Sequence, residues 1–197
     1  MSIFTRRTFL QTSGALAAGA AGVQVGTLFA YADESGVTAE SKLAVLEKAL
    51  RGEVDVYTDP RASPTGFPFK VVELEGTVSQ LPVYQARERV CDLGYLREAF
   101  KDERGRINYR CAAEPVDTFV KKGGALEATV GRKCLCNALM ADVGHGQVRE
   151  SGEVEKPLIT SGDDLRTIGR FLQGRTRYTA GDVIDYLLGG LEAVPAV

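Results

Sequence analysis

The chain has 197 residues, 44% of them hydrophobic, which is typical of one globular domain and short of the roughly 250 residues of a complete eight-stranded β/α barrel. Its 24 basic and 26 acidic residues nearly cancel, so no overall positive charge favours nucleic acid or an anionic membrane surface as a partner. The single histidine excludes any zinc site that needs two.

The beginning of the chain has the features of an export signal. The stretch 5–11, TRRTFLQ, resembles the twin-arginine signature. Residues 15–30 are rich in alanine and glycine and uncharged, but the run is too short and too weakly apolar to predict a stable membrane span. The sequence AYA at 30–32 fits the small-x-small rule of signal peptidase, which makes Asp33 the first mature residue. Cleavage there predicts an exported, periplasmic protein; the alternative is an ordinary N-terminal helix that carries two arginines.

Short helices and strands separated by long loops follow. Thr38 is placed to cap a helix whose apolar residues recur at helical spacing and which stops at Gly52. Val54 and Val56 alternate with acidic residues, as in a half-exposed strand. The proline-rich segment 59–68 predicts a loop with a restricted path.

The middle of the chain predicts one strand and two helices. Residues 107–111 alternate between apolar and polar, as in a strand. Pro115 opens a helix that stops at Gly123, and a second helix covers 133–143. His145 follows that helix between two glycines, a position typical of a solvated residue at a helix end.

Two capping patterns mark the tail. Residues 161–164 and 179–182 each place an acidic residue three positions after a hydroxyl, immediately before an apolar run. They predict two amphipathic helices with a structural role. With the preceding elements they give an α+β fold, mostly helical with short strands.

Four cysteines are the first candidates for chemistry: Cys91, Cys111, Cys134 and Cys136. Four thiolates can close a tetrahedral zinc site or hold an iron–sulfur cluster. The spacing is unusual, because one Cys-x-Cys pair is combined with two separate upstream cysteines. Arg132 and Lys133 would help to keep the neighbouring thiolate deprotonated. Two alternatives stay open: burial as small apolar side chains, and two disulfides in an exported chain.

Six stretches of the chain, in order, resemble the C-terminal part of bacterial nitronate monooxygenases, the flavin enzymes also called 2-nitropropane dioxygenases. They are LAAGAAGVQVGTLFAYADESG, DPRASPTGFPFKV, RVCDLGYLREAF, YRCAAEPVDTFVKKGG, GRKCLCNALMADVG and PLITSGDDL. The resemblance spans about residues 15–188. It implies a β/α (TIM) barrel that binds FMN at the C-terminal ends of its strands and oxidises nitronates with molecular oxygen.

The same resemblance assigns a cofactor role to part of the N-terminal segment. In the family, a stretch similar to residues 22–27 is a late barrel strand with its following turn, and backbone amides there help to hold the flavin phosphate. The resemblance therefore implies cofactor contacts at Gln24, Gly26 and Thr27. It also implies that most of the barrel, with the flavin-ring contacts and the catalytic histidine, would lie upstream of residue 15. The barrel is then incomplete, and we expect no catalysis from the chain alone.

Two functional hypotheses result. In the first, the chain is a truncated or split nitronate monooxygenase-like protein, cytoplasmic like its family, which needs a larger flavoprotein subunit to complete a nitronate site. In the second, residues 33–197 form an exported, non-enzymatic domain that binds a metal through its cysteines or acts as an interaction domain. Residues 1–32 are then a signal segment that overlaps the strand-like stretch 15–32.

Overall fold

The computed structural model describes residues 24–189, and the twin-arginine motif lies outside this range. The helices within it are α1 (Thr27–Ala30), α2 (Ala39–Leu50), α3 (Leu81–Ala86), α4 (Val116–Lys121), α5 (Leu135–Asp142), α6 (Gly169–Leu172) and α7 (Ala180–Gly189). The strands are β1 (Val56–Asp59), β2 (Phe69–Val72), β3 (Glu98–Lys101) and β4 (Ile107–Arg110). Two 3₁₀ helices cover Leu126–Thr129 and Asp163–Thr167.

The strands form two small antiparallel sheets. β1 pairs with β2, and β3 pairs with β4 in a hairpin. Within residues 24–189 the fold is therefore mixed α and β, without a closed barrel. Of the barrel strand expected over 22–27, the described part is irregular as far as Gly26 and then enters α1. No helix in this part of the chain is long and apolar enough to cross a membrane.

The first hydrophobic core joins the two ends of the described chain. Its largest fully buried members are contributed by the segment after α1, by α2, β1, β2 and the tail: Tyr31, Val45, Leu46, Val56, Val72, Ile159, Leu165, Leu172 and Val183. Tyr178 ties the ends together, since its hydroxyl donates to the carbonyl of Leu28 (2.7 Å) and its carbonyl accepts from the Asp33 amide (2.8 Å). A boundary between Ala32 and Asp33 would therefore divide a single core.

A smaller second core supports α5. It comprises Val71, Val78, Tyr84, Leu135, Ala138 and Leu158. Leu135 is buried here, while the residues on either side of it, Cys134 and Cys136, are only partly buried. The second core therefore lies directly beneath the Cys-x-Cys pair.

The local signals for helix ends are largely confirmed. The Thr38 hydroxyl accepts from the Ser41 amide at the start of α2, and Gly52 follows its end with a φ of 73° that favours glycine. At the start of α7, the Thr179 hydroxyl accepts from the Asp182 amide (3.1 Å) and the Asp182 carboxylate accepts from the Thr179 amide (2.7 Å). This is the reciprocal capping box that the sequence predicts.

The other tail prediction is only partly right. Ser161 makes no capping hydrogen bond, and the expected single helix is split into the 3₁₀ helix Asp163–Thr167 and the short α6. The 3₁₀ helix begins one residue later than predicted, with Gly162 as its N-cap, so Ser161 lies outside the capping position and its buried hydroxyl has no hydrogen-bond partner.

A candidate four-cysteine site

The four cysteines come from three segments of the chain. Cys91 lies in the loop after α3, Cys111 directly follows β4, Cys134 is the N-cap residue of α5, and Cys136 is in its first turn. The Asn137 side-chain amide donates to the carbonyl of Val90 (3.1 Å), which joins the Cys91 loop to α5. Cys111 is buried, whereas Cys91, Cys134 and Cys136 are partly buried.

Arg97 lies close to Cys91. Its guanidinium Nη2 donates to the carbonyl of Cys91 (3.2 Å) and lies 3.6 Å from the Cys91 sulfur. Gly94 makes this path possible, because a Cβ at this position would lie 2.5 Å from Arg97 Cζ, and its φ of 68° favours glycine.

Burial holds part of the site in the neutral thiol form. Desolvation raises the pKa of Cys111 to about 11, against the opposing effect of the Ala113 amide. Desolvation also raises the pKa of Cys134, although the Asn137 amide and the Arg87 guanidinium act in the opposite direction. All four cysteines are free, without disulfides. A metal ion bound by these thiolates would therefore displace protons.

The donor chemistry fits a metal, but the spacing is not that of a preformed site. Four sulfur donors are the ligand set of structural zinc sites and of common iron–sulfur clusters. Within residues 24–189, however, no three histidine, cysteine, aspartate or glutamate side chains are arranged closely enough to hold one ion. Metal binding would therefore require the cysteine-bearing segments to rearrange.

A buried ion cluster lies next to the site. Glu155 accepts from Arg87 through both Nε (3.0 Å) and Nη2 (2.5 Å), and from Arg149 Nη2 (2.6 Å). The side chains of this cluster are at most 3% exposed. The Glu155 carboxylate thus accepts hydrogen bonds from two guanidinium groups. The Nη1 atoms of Arg87, Arg149 and Arg89 are buried without a hydrogen-bond partner.

The aromatic ring of Tyr84 packs against three cationic side chains, those of Lys133, Arg89 and Arg87. Lys133 Nζ is 4.4 Å from its ring centroid, and the guanidinium carbons of Arg89 and Arg87 are 5.3 Å and 5.5 Å from it. The Tyr84 hydroxyl donates to the carbonyl of Arg132, which fixes the segment leading into Cys134. Lys133 Nζ also donates to the carbonyl of Val78 (2.8 Å). The positive charge is therefore packed against the residues that introduce the Cys-x-Cys pair.

The residues assigned to the flavin phosphate lie elsewhere. Gln24, Gly26 and Thr27 line one cleft of about 520 Å³. The other lining residues are Ala30, Thr160, Ser161 and Gly162, so no charged side chain of the described chain faces a phosphate there. The backbone at residue 162 can approach Thr27 this closely because residue 162 is glycine. A Cβ at that position would lie 2.7 Å from Thr27 Oγ1.

One of the residues that line this cleft, Ser161, belongs to a set of buried polar atoms that the sequence did not indicate. Tyr31 Oη, Asp142 Oδ1 and Ser161 Oγ are buried without hydrogen-bond partners. Desolvation raises the pKa of Asp142 to about 7. His145, by contrast, is exposed at the end of α5.

No protein-family model matches the chain, and no similar curated protein or solved structure was found. The likeness to nitronate monooxygenases therefore stays a prediction carried by the sequence stretches themselves.

Proposed function

We propose that the chain is a metal-binding module in which Cys91, Cys111, Cys134 and Cys136 hold one zinc ion or one iron–sulfur cluster. The observation that carries the proposal is the hydrogen bond from the Asn137 side-chain amide to the carbonyl of Val90 (3.1 Å), which ties the residue before Cys91 to the helix that begins with Cys134 and Cys136. All four cysteines are free thiols, and four thiolates are the ligand set of structural zinc sites and of common iron–sulfur clusters.

The role of the metal would be structural. The β3–β4 hairpin pairs mainly with itself, and an isolated two-stranded hairpin is only marginally stable in water. Cys111 ends this hairpin, so a metal bound there would anchor the hairpin to α5 through Cys134 and Cys136. The same ion would hold the loop of Cys91. Metal binding would then contribute directly to the free energy of folding.

Metal content tests the proposal. The full chain, purified without a histidine tag under reducing and anaerobic conditions, should contain about one zinc ion per chain or a stoichiometric iron–sulfur cluster with its visible absorbance. Cys136→Ser should lose the metal, whereas Ser151→Ala, at an exposed loop position, should retain it. Metal well below one equivalent in the wild-type chain would defeat the proposal.

The second candidate is a nitronate monooxygenase-like protein, truncated or split, that contacts FMN. It is favoured by one observation: Gln24, Gly26 and Thr27, assigned on resemblance alone, line the same cleft. Oxidation of a nitronate would require a flavoprotein partner that completes the barrel. If the chain binds FMN, added FMN should co-elute with the protein in gel filtration and give the protein fraction its yellow absorbance.

A substitution at Gly26 separates this candidate from the first. Its φ of −115° suits any residue, and a Cβ there meets no atom within 4 Å, so Gly26→Leu fills the cleft without backbone strain. It should abolish FMN binding and leave metal content unchanged, while Cys136→Ser should do the reverse. FMN binding unaffected by Gly26→Leu would place the flavin outside this cleft.

A further inference from the structure

We propose that a basic cleft between the β3–β4 hairpin and the end of α4 binds a single-stranded nucleic acid. The cleft has a volume of about 910 Å³ and is lined by residues of the hairpin, from Phe100 to Arg110, and by residues 120–123. The inference goes beyond the proposed metal binding and does not rest on it.

Positive charge is concentrated in this cleft, although it nearly cancels over the whole chain. Six of the lining residues are cations: Lys101, Arg104, Arg106, Arg110, Lys121 and Lys122. Two carboxylates, Asp102 and Glu103, line the cleft with them, while Asp117 at the start of α4 does not. Glu98 and Glu114 lie outside the lining but pair with Arg110 (2.6 Å) and Lys122 (2.9 Å). Six cations against these four carboxylates leave an excess of two positive charges.

The walls of the cleft are held by internal hydrogen bonds. The Asp102 carboxylate closes the hairpin turn, because it accepts from the amides of Arg104 (3.0 Å) and Arg106 (2.9 Å). It also accepts from Arg106 Nε (2.9 Å). Arg110 joins the hairpin to the end of α4, since its Nη1 donates to the carbonyl of Lys122 (3.1 Å). The paired side chains therefore shape the cleft.

Three cations of the cleft are available to a ligand. The side chains of Lys101, Arg104 and Lys121 are exposed and make no hydrogen bond or ion pair within the described part of the chain. Glu103 is exposed and unpaired there as well, so the free side chains carry the excess of two positive charges. A ligand that meets these cations together has to carry several negative charges. Charge complementarity therefore selects a polyanion.

An exposed aromatic ring distinguishes between the possible polyanions. Tyr109 lines the cleft and is 57% exposed, whereas the ring of Phe100 is covered by the guanidinium of Arg110, 4.9 Å from its centroid. Single strands are bound by cations that follow the backbone and by aromatic rings on which the bases stack. An acidic peptide has no base to stack on Tyr109. A duplex is read by an element that enters its groove, and this site is a recess.

Binding is measured by fluorescence anisotropy of labelled oligo-dT and oligo-U, each about 16 nucleotides long, with the full-length chain over a range of salt concentrations. Lys101→Gln, Arg104→Gln and Lys121→Gln should each weaken binding. Each should also lower the slope of log affinity against log salt by about 0.7, the contribution of one phosphate contact with a single strand. Tyr109→Ala should weaken binding about 5-fold or more with the slope unchanged, and Tyr109→Phe should bind like wild type. The strand that binds more tightly identifies the ligand as DNA or RNA.

Each kind of variant has a matched control outside the cleft. Lys156→Gln and Arg170→Gln remove exposed cations, and Tyr95→Ala removes a tyrosine that is 73% exposed; none of the three should change the affinity. Circular dichroism checks that every variant is folded, which is expected because all the substituted positions are exposed.

Four results would overturn the inference. They are no binding of either strand at low salt, equal weakening in the cleft variants and their controls, wild-type affinity in Tyr109→Ala, and displacement of the strand by poly-glutamate at equal charge concentration. The last result would assign the basic cleft to an acidic protein segment instead. None of these results changes the metal content on which the proposed function depends.

Discussion

The two cores of this protein bury different things. The first core is built almost entirely from apolar side chains that bring α1 and α7 together. At its margin lie three buried side-chain oxygens, those of Tyr31, Asp142 and Ser161. The second borders partly buried cysteines and three buried cations, of which Arg87 and Arg149 share the Glu155 carboxylate and Lys133 donates to the carbonyl of Val78. Apolar packing dominates the first core, while the region around the second combines apolar packing with buried charge.

The largest expected effect comes from removing residues 1–32. The deletion takes away Tyr31 and Ala32, which are 2% and 1% exposed, together with Leu28, whose carbonyl accepts from Tyr178. Truncating a single buried aromatic costs about 3–5 kcal/mol, and whole domains are stable by only about 5–15 kcal/mol. We expect loss of the cooperative thermal transition. A chain starting at Gln24 keeps these contacts and is the control; equal melting of the two would contradict the assignment of 27–32 to the core.

The next prediction sets a core substitution against loss of metal. Leu172 is fully buried in the first core, so Leu172→Ala should lower the free energy of unfolding by about 2–5 kcal/mol, both with metal and after chelation. Cys134→Ser should be severely destabilising relative to the metal-loaded chain and nearly neutral relative to the chelated chain. Urea denaturation with and without a chelator measures both. If Cys134→Ser lowered the free energy of unfolding equally with and without the chelator, the cysteine would contribute to packing alone.

The polar margin of the first core predicts a pH dependence. Burial raises the pKa of Asp142 to about 7, whereas an unfolded aspartate has a pKa near 3.9. The native state therefore holds the proton more tightly, so its stabilising contribution is complete below about pH 4 and is lost as the pH rises through about 7. Across that range, Asp142→Asn should gain on the order of 3 kcal/mol of stability relative to wild type.

Urea denaturation between pH 4.5 and 8 checks this expectation. The exposed substitution Asp117→Asn serves as the control and should track the wild-type chain. Parallel curves for wild type and Asp142→Asn would show that this carboxyl does not couple to folding.

Local features were predictable from the sequence, and long-range ones were not. The caps at Thr38 and Thr179 depend on residues three positions apart, so the pattern itself specifies them. Arg87 and Glu155 lie 68 positions apart, and no local pattern links them. The cysteines were identifiable by residue type, but the hydrogen bond that ties the loop before Cys91 to α5 joins residues 47 positions apart.

The position of the N-terminal segment in the core was likewise not predictable from local sequence patterns. Its alanines and glycines are typical of an export signal, and they equally suit close packing. What places Tyr31 and Ala32 in the core is contact with the tail, through Tyr178 and the Asp33 amide. Composition at one end of a chain carries no information about a partner segment at the other end.

The smallest expected effect compares two hydroxyls with the same sequence pattern. Thr179 caps α7 reciprocally with Asp182, so Thr179→Ala should lower the free energy of unfolding by about 1 kcal/mol. Ser161 makes no capping bond, so Ser161→Ala should leave helix stability unchanged. The denaturant midpoints of the two variants, compared with that of the wild-type chain, measure both effects. Equal losses in both variants would mean that Ser161 caps its helix in solution.

The most direct test of the metal proposal is the X-ray absorption spectrum of the purified, metal-loaded chain at the zinc or iron edge. The account predicts four sulfur neighbours at about 2.3 Å from the metal, with one sulfur lost in Cys136→Ser. A first shell dominated by nitrogen or oxygen, or a spectrum unchanged in Cys136→Ser, would contradict it.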